Sequence, residues 1–175
     1  MAVILDALCL ALVAFSTLAA AVLQPELTGS QTPHYESSLN FLRNRYTVPQ
    51  DYPHLEAYSH ILSGHPDGEA KAWELAGTEN NGPVDYTMDG SERNIFATTR
   101  ISGNSQLGRM WNLNSRDELS DVYAFWHIRK GKHKLLRLDK WPSLPAAQSP
   151  PQTVTLQSLL EKVDQSRLRS FINRF

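Results

Sequence analysis

Residues 121–140, DVYAFWHIRKGKHKLLRLDK, decide how this chain folds. Val122-Tyr123-Ala124-Phe125-Trp126 is β-branched and aromatic, and Leu135-Leu136-Arg137-Leu138 answers it after Lys130-Gly131-Lys132. Two apolar runs about a glycine-bearing turn predict a β-hairpin, with strands over 121–129 and 133–138. The turn region is basic. From His127 to Lys140 the cations Arg129, Lys130, Lys132, Lys134, Arg137 and Lys140 face only Asp139. Such a cluster attracts phosphate backbones. It equally suits a solvated hairpin tip, because lysines guard strand edges against aggregation.

Working outward, short strand-like runs broken by Gly, Asn and Asp begin at Lys71. The expected strands are 71–76, 84–88, 94–101 and 107–113, with turns at Asn80-Asn81-Gly82 and Met88-Asp89-Gly90. Further toward the N-terminus, residues 35–46 read as a helix: Leu39, Leu42 and Tyr46 recur at helical spacing and Pro49 ends the run. A second short helix is expected over 54–62, with Leu55, Tyr58 and Leu62 on one side. Residues 141–152 are rich in Pro and Ser and read as a linker. Beyond it, Thr155 can cap a C-terminal helix over 153–175 that carries Leu156, Leu159, Leu160, Val163, Phe171 and Ile172 as an apolar stripe. The fold class is therefore α+β: an N-terminal helix on a twisted antiparallel β-sheet, with an additional C-terminal helix.

The first residues bear on location. Residues 7–18, ALCLALVAFSTL, form an apolar run too short for a standard membrane-spanning helix, and Ala19-Ala20-Ala21 supplies small side chains for cleavage. We read 1–21 as a signal peptide, although Asp6 stands where a basic residue is usual. Residues 22–34 follow as a flexible leader and 35–140 as the α+β domain. Cys9 is the only cysteine and lies in the signal, so disulfides are excluded from what remains. Lys and Arg number 17 against 18 Asp and Glu, so net charge implies no partner. The six histidines lack paired metal-ligand spacing, and there is no phosphate-binding Gly-rich loop, no His-Glu-x-x-His and no nucleophile elbow. His60 and His65 with Asp67 could chelate weakly, but they suit a polar loop better. No metal, cofactor or stable membrane association is expected, and the protein is expected to be a monomer.

Three short stretches carry chemistry: Tyr52-Pro53-His54, Trp73-Glu74 and Ser91-Glu92-Arg93. Cleaving RNA by internal transesterification takes a base for the 2′-OH, an acid for the 5′-oxygen and a cation on the phosphate. In kind, order and approximate spacing these residues resemble the small secreted guanyl-specific ribonucleases of fungi. In those enzymes a helix leads into a Tyr-x-His strand, then a Glu-Trp strand and an Asp-Arg strand. Taken alone, each of these residues also suits an ordinary turn or a solvated strand face. The family's next strand holds a histidine as general acid. Counting on from Arg93, Gly108-Arg109-Met110-Trp111-Asn112 arrives there without one. The resemblance implies a vestigial set (Tyr52, His54, Glu74 and Arg93) and no catalysis.

The signal, the ribonuclease-like order and the missing acid together resemble the secreted ribonuclease-like effectors of powdery mildew fungi. That resemblance implies a virulence-associated, non-enzymatic binder of host RNA or a host protein, secreted and delivered into host cells. Its RNA contacts would be Arg129, Lys130, Lys132, Lys134 and Arg137. The alternatives are an active endoribonuclease in which His54 or His127 supplies the acid, and an extracytoplasmic structural or assembly protein.

Overall fold

The computed structural model describes residues 23–46, 55–78, 82–89, 94–114, 120–142 and 154–162. In chain order the elements are helix α1 (Thr32–Tyr46), strand β1 (Leu55–Glu56), helices α2 (Tyr58–Gly64) and α3 (Gly68–Ala76), strands β2 (Pro83–Met88) and β3 (Asn94–Ile101), helix α4 (Gln106–Met110), and strands β4 (Ser120–Arg129) and β5 (Lys132–Pro142). Residues 156–162 form a last helical stretch, α5. The strands make one antiparallel sheet in the order β1-β5-β4-β3-β2.

The hairpin forms as its sequence predicts. Arg129 pairs with Lys132, leaving Lys130-Gly131 as a two-residue loop. Both loop residues have positive φ, 52° and 70°. That is the type I′ geometry, whose twist matches the flanking strands. Gly131 takes it without strain, whereas Lys130 bears the cost of a side chain in left-handed backbone.

Alternation along β4 divides the molecule into layers. Val122, Ala124, Trp126 and Ile128 point to one face, where they join Ile95, Ala97 and Ile101 of β3 and Leu135 and Leu138 of β5. Helices α2 to α5 cover this face through Ile61, Leu62, Ala72, Ala76, Leu107, Leu156 and Leu159. Tyr123 and Phe125 point to the opposite face, which α1 crosses and on which Leu27, ahead of α1, also packs. There Leu42 packs with Val84, Tyr123 and Trp141, and Tyr35 packs with Phe96, Phe125 and Leu136. Ser38 of α1 also shares a buried hydrogen bond with Thr98 of β3, and the Tyr35 hydroxyl donates to buried Asp139 at 2.7 Å. Burial beside that carboxylate pushes the Tyr35 hydroxyl far above its ordinary pKa, so it stays a donor.

Two buried polar links tie the central strands to each other and to the loop that follows β3. Trp126 Nε1 donates to Thr99 Oγ1 at 2.8 Å beneath the helices. Asp121 accepts from Arg100 Nε and Nη2 at 2.9 and 2.6 Å and from the Gly103 amide at 3.1 Å, tying the loop before α4 to β4. On the outer side of β5, the Leu135 amide donates to Glu69 Oε1 of α3 at 3.0 Å.

Several expected elements differ. Residues 71–76, read as a strand, belong to α3. Ala72 and Ala76 lie four apart and both are buried against the sheet, and GEAKAWELA is rich in helix formers. Residues 107–113, also read as a strand, begin in α4, where Ser105 caps the helix by accepting from the Gly108 amide at 2.9 Å. The second short helix is α2, and it starts at Tyr58, since Leu55-Glu56 pairs with Lys140 and Asp139 as β1. The leader ends early because α1 begins at Thr32. The linker begins after Pro142, the last residue of β5. The expected signal peptide (1–21) and most of the linker lie outside the described residues. So does the C-terminal helix beyond Lys162, but its first turns pack on the domain through Leu156 and Leu159.

Candidate nucleic-acid interface

Helix α1 does not reach the hairpin end of the face it covers. Two cross-strand rows of side chains lie at and beyond its first turn, and the register defines them. The nearer row runs Thr87, Phe96, His127, Lys134 across β2, β3, β4 and β5. The outer row runs Asn94, Arg129, Lys132, with Asp89 beside Asn94. Side chains paired directly across an antiparallel sheet lie on the same face, about 4.5–5.5 Å apart at Cβ. Arg129, Lys132 and Lys134 therefore project together from the α1 face, and all three are exposed. Lys130 sits exposed at the turn beside them.

Stacked rings floor this patch. His34, in the first turn of α1, lies 4.2 Å from Phe96 with the planes 16° apart. On β4, His127 lies 4.9 Å from the same phenylalanine at 11°. His34 Nδ1 is 2.8 Å from Thr87 Oγ1, and His127 Nε2 is 3.2 Å from Asn94 Oδ1. The Asn94 side-chain amide donates in turn to the Asp89 carboxylate. Partial burial holds the His127 imidazole below its ordinary pKa. Arg129, Lys134 and His34 push it the same way, and Asp89 opposes them.

The other face of the hairpin carries a different stack. His133 lies over Trp73 of α3 at 3.9 Å and 10°, and both meet buried Trp126 edge-on. Burial lowers the His133 pKa against the pull of Glu69.

The predicted site residues separate on this frame. Arg129, Lys130, Lys132 and Lys134 come together. Arg137 stands apart, half-buried with its guanidinium 5.7 Å above the Tyr35 ring, where it helps seat α1. Glu74 is exposed on α3, a helix rather than the expected strand, and the sheet lies between it and His127. Tyr52, His54 and Arg93 lie outside the described residues. Asn112, counted to the place of the general acid, is exposed in the turn after α4 with φ 54°. Sequence reasoning missed the partnership of His34, Phe96, Asn94 and His127, having left His34 in the leader. One signal was present: a two-residue turn at Lys130-Gly131 fixes His127 opposite Lys134 and Arg129 opposite Lys132.

Fold and site together define an α+β domain with a cationic, ring-floored sheet face next to its N-terminal helix. Residues 47–162 match the family model UMAG_10076_C, described as a C-terminal domain, and the chain belongs to that family. No curated protein and no solved structure gives a significant match. Among the described residues, no group of three His, Cys, Asp or Glu is placed to hold a metal ion, and no helix is long and apolar enough to cross a membrane.

Proposed function

We propose that this protein is a secreted, non-catalytic, ribonuclease-like effector that binds host RNA through its sugar-phosphate backbone. One observation carries the reading: Arg129, Lys132 and Lys134 are exposed on one sheet face in the rows that α1 leaves open, with Lys130 at the turn. Cations spaced across the end of a sheet track a phosphate chain, and they carry no base-edge code. An N-terminal helix lying across an antiparallel sheet supports the ribonuclease likeness. Helix α3, standing where that likeness requires a Glu-bearing strand, weighs against a working catalytic set. With the sheet between Glu74 and His127, those two cannot act on one phosphate.

The test is fluorescence anisotropy with labelled single-stranded RNA over a range of salt. Three to four phosphate contacts give a log–log slope of about −2 to −3 at roughly 0.7 per contact. Changing Arg129, Lys130, Lys132 and Lys134 to Glu should abolish binding, while a guanosine dinucleotide should remain uncleaved. Salt-independent binding, or binding that survives the charge reversal, would refute the interface. Robust turnover would make the protein an enzyme.

A further inference from the structure

Resting on that reading, we propose that His127, Lys134 and Arg129 form a single phosphodiester subsite, and that His127 takes up a proton when the phosphate enters.

The chain of partners around His127 assigns its protons. The Asp89 carboxylate can only accept, so the Asn94 amide turns its nitrogen toward Asp89 and its Oδ1 toward His127. Asn94 Oδ1 can also only accept, so His127 holds its neutral-state proton on Nε2. The lone pair is then on Nδ1, the atom that protonates. Every element packed round this ring contributes a defined group: Arg129 on β4 itself, Asn94 and Phe96 on β3, Thr87 on β2 with Asp89 just after it, Lys134 on β5 and His34 on α1.

Partial burial and the neighbouring cations lower the pKa of the ring and so favour its neutral form, and Asp89 offsets them only in part. A phosphodiester seated among Lys134, Arg129 and His127 places an anion beside the ring and reverses that balance. Imidazolium is then favoured, and the ring becomes a third cation on the phosphate. Proton uptake on binding obliges the affinity to rise as pH falls, by at most tenfold per pH unit. Phe96 keeps the ring from turning away from the anion, since it stacks on the ring at 4.9 Å.

The experiment measures oligouridylate affinity of the whole protein between about pH 7.5 and about pH 5.5, the range in which histidine titrates. Wild type should tighten at least about fivefold on acidification, within the tenfold-per-unit linkage limit. His127→Gln should flatten that change to under about twofold, and Lys134→Ala should weaken binding at both pH values. A His127→Gln protein as pH-sensitive as wild type overturns the proposal. Should that variant not fold, the His127 ring of wild type is titrated by NMR with and without the oligonucleotide. Its midpoint must rise on binding, and an unmoved or lowered midpoint overturns the proposal. Salt-sensitive binding that ignores pH removes this inference and leaves the RNA interface standing. No binding at either pH removes both.

Discussion

Replacing Thr99 with valine isolates the buried link between the sheet and its indole. Thr99 is 1% exposed and Trp126 is fully buried. The 2.8 Å bond between them is the one hydrogen bond described for that indole nitrogen. Valine keeps the β-branched shape that suits a central strand, so backbone preference and volume hardly change. The loss is the acceptor. A buried donor left unsatisfied costs about 1–3 kcal/mol, and the new methyl returns up to about 0.8 kcal/mol of apolar burial. The expected net destabilisation is about 1 kcal/mol, or about 2–4 °C in Tm for a domain of this size. Trp126→Phe in the valine background removes the orphaned donor, so the two substitutions should couple by about 0.5–1.5 kcal/mol in a double-mutant cycle. Urea denaturation followed by tryptophan fluorescence measures all four corners. Coupling below about 0.3 kcal/mol, inside the additivity error, would refute the claim that this bond matters.

Gly108→Ala should destabilise by several kcal/mol, because its Cβ would lie 2.8 Å from Gly103 Cα and nearer still to the Ser102 carbonyl oxygen; thermal denaturation reads the loss. Gly131→Ala meets no atom, yet it puts a side chain at φ 70° and should cost about 1 kcal/mol by the same measurement. At the other loop position, Lys130→Asn should raise Tm slightly, since Asn-Gly is the preferred type I′ pair. His127 and His133 both have folded pKa values below the ordinary 6.5. The unfolded chain therefore binds more protons in that window. Stability should be full above about pH 6.5 and fall as pH drops toward the folded values, and urea titrations across that range check the sign.

The hairpin and α1 were legible because local signals and tertiary demands agreed. A glycine turn separated two apolar runs, and Leu39 and Leu42 kept helical spacing toward the sheet. At 71–76 the signals competed. Trp73 and Leu75 look strand-like in a short window, but Ala72 and Ala76 mark a narrow face on which a helix can lie close to the sheet. At 107–113, Gly108 reads as a helix breaker. The structure needs glycine there because the chain at Ser102-Gly103 passes directly beneath. The cationic half of the candidate interface was legible as charge. The ring floor was not, because His34 and Phe96 are far apart in sequence and meet only once α1 crosses the sheet. Glu74 was drawn onto a strand by the ribonuclease likeness, and its own neighbours favour a helix.

The bond from the Leu135 amide to Glu69 bears on how the protein behaves at high concentration. Beyond its brief pairing with β1, strand β5 has no further strand beside it among the described residues, and an unpaired amide on such a margin is where a strand from another molecule would begin to pair. Glu69 occupies that amide with a carboxylate, which accepts the bond and also sets a negative charge in the path of incoming backbone carbonyls. Removing Glu69 takes away both the acceptor and the charge, so Glu69→Ala should be more prone than wild type to form β-rich aggregates.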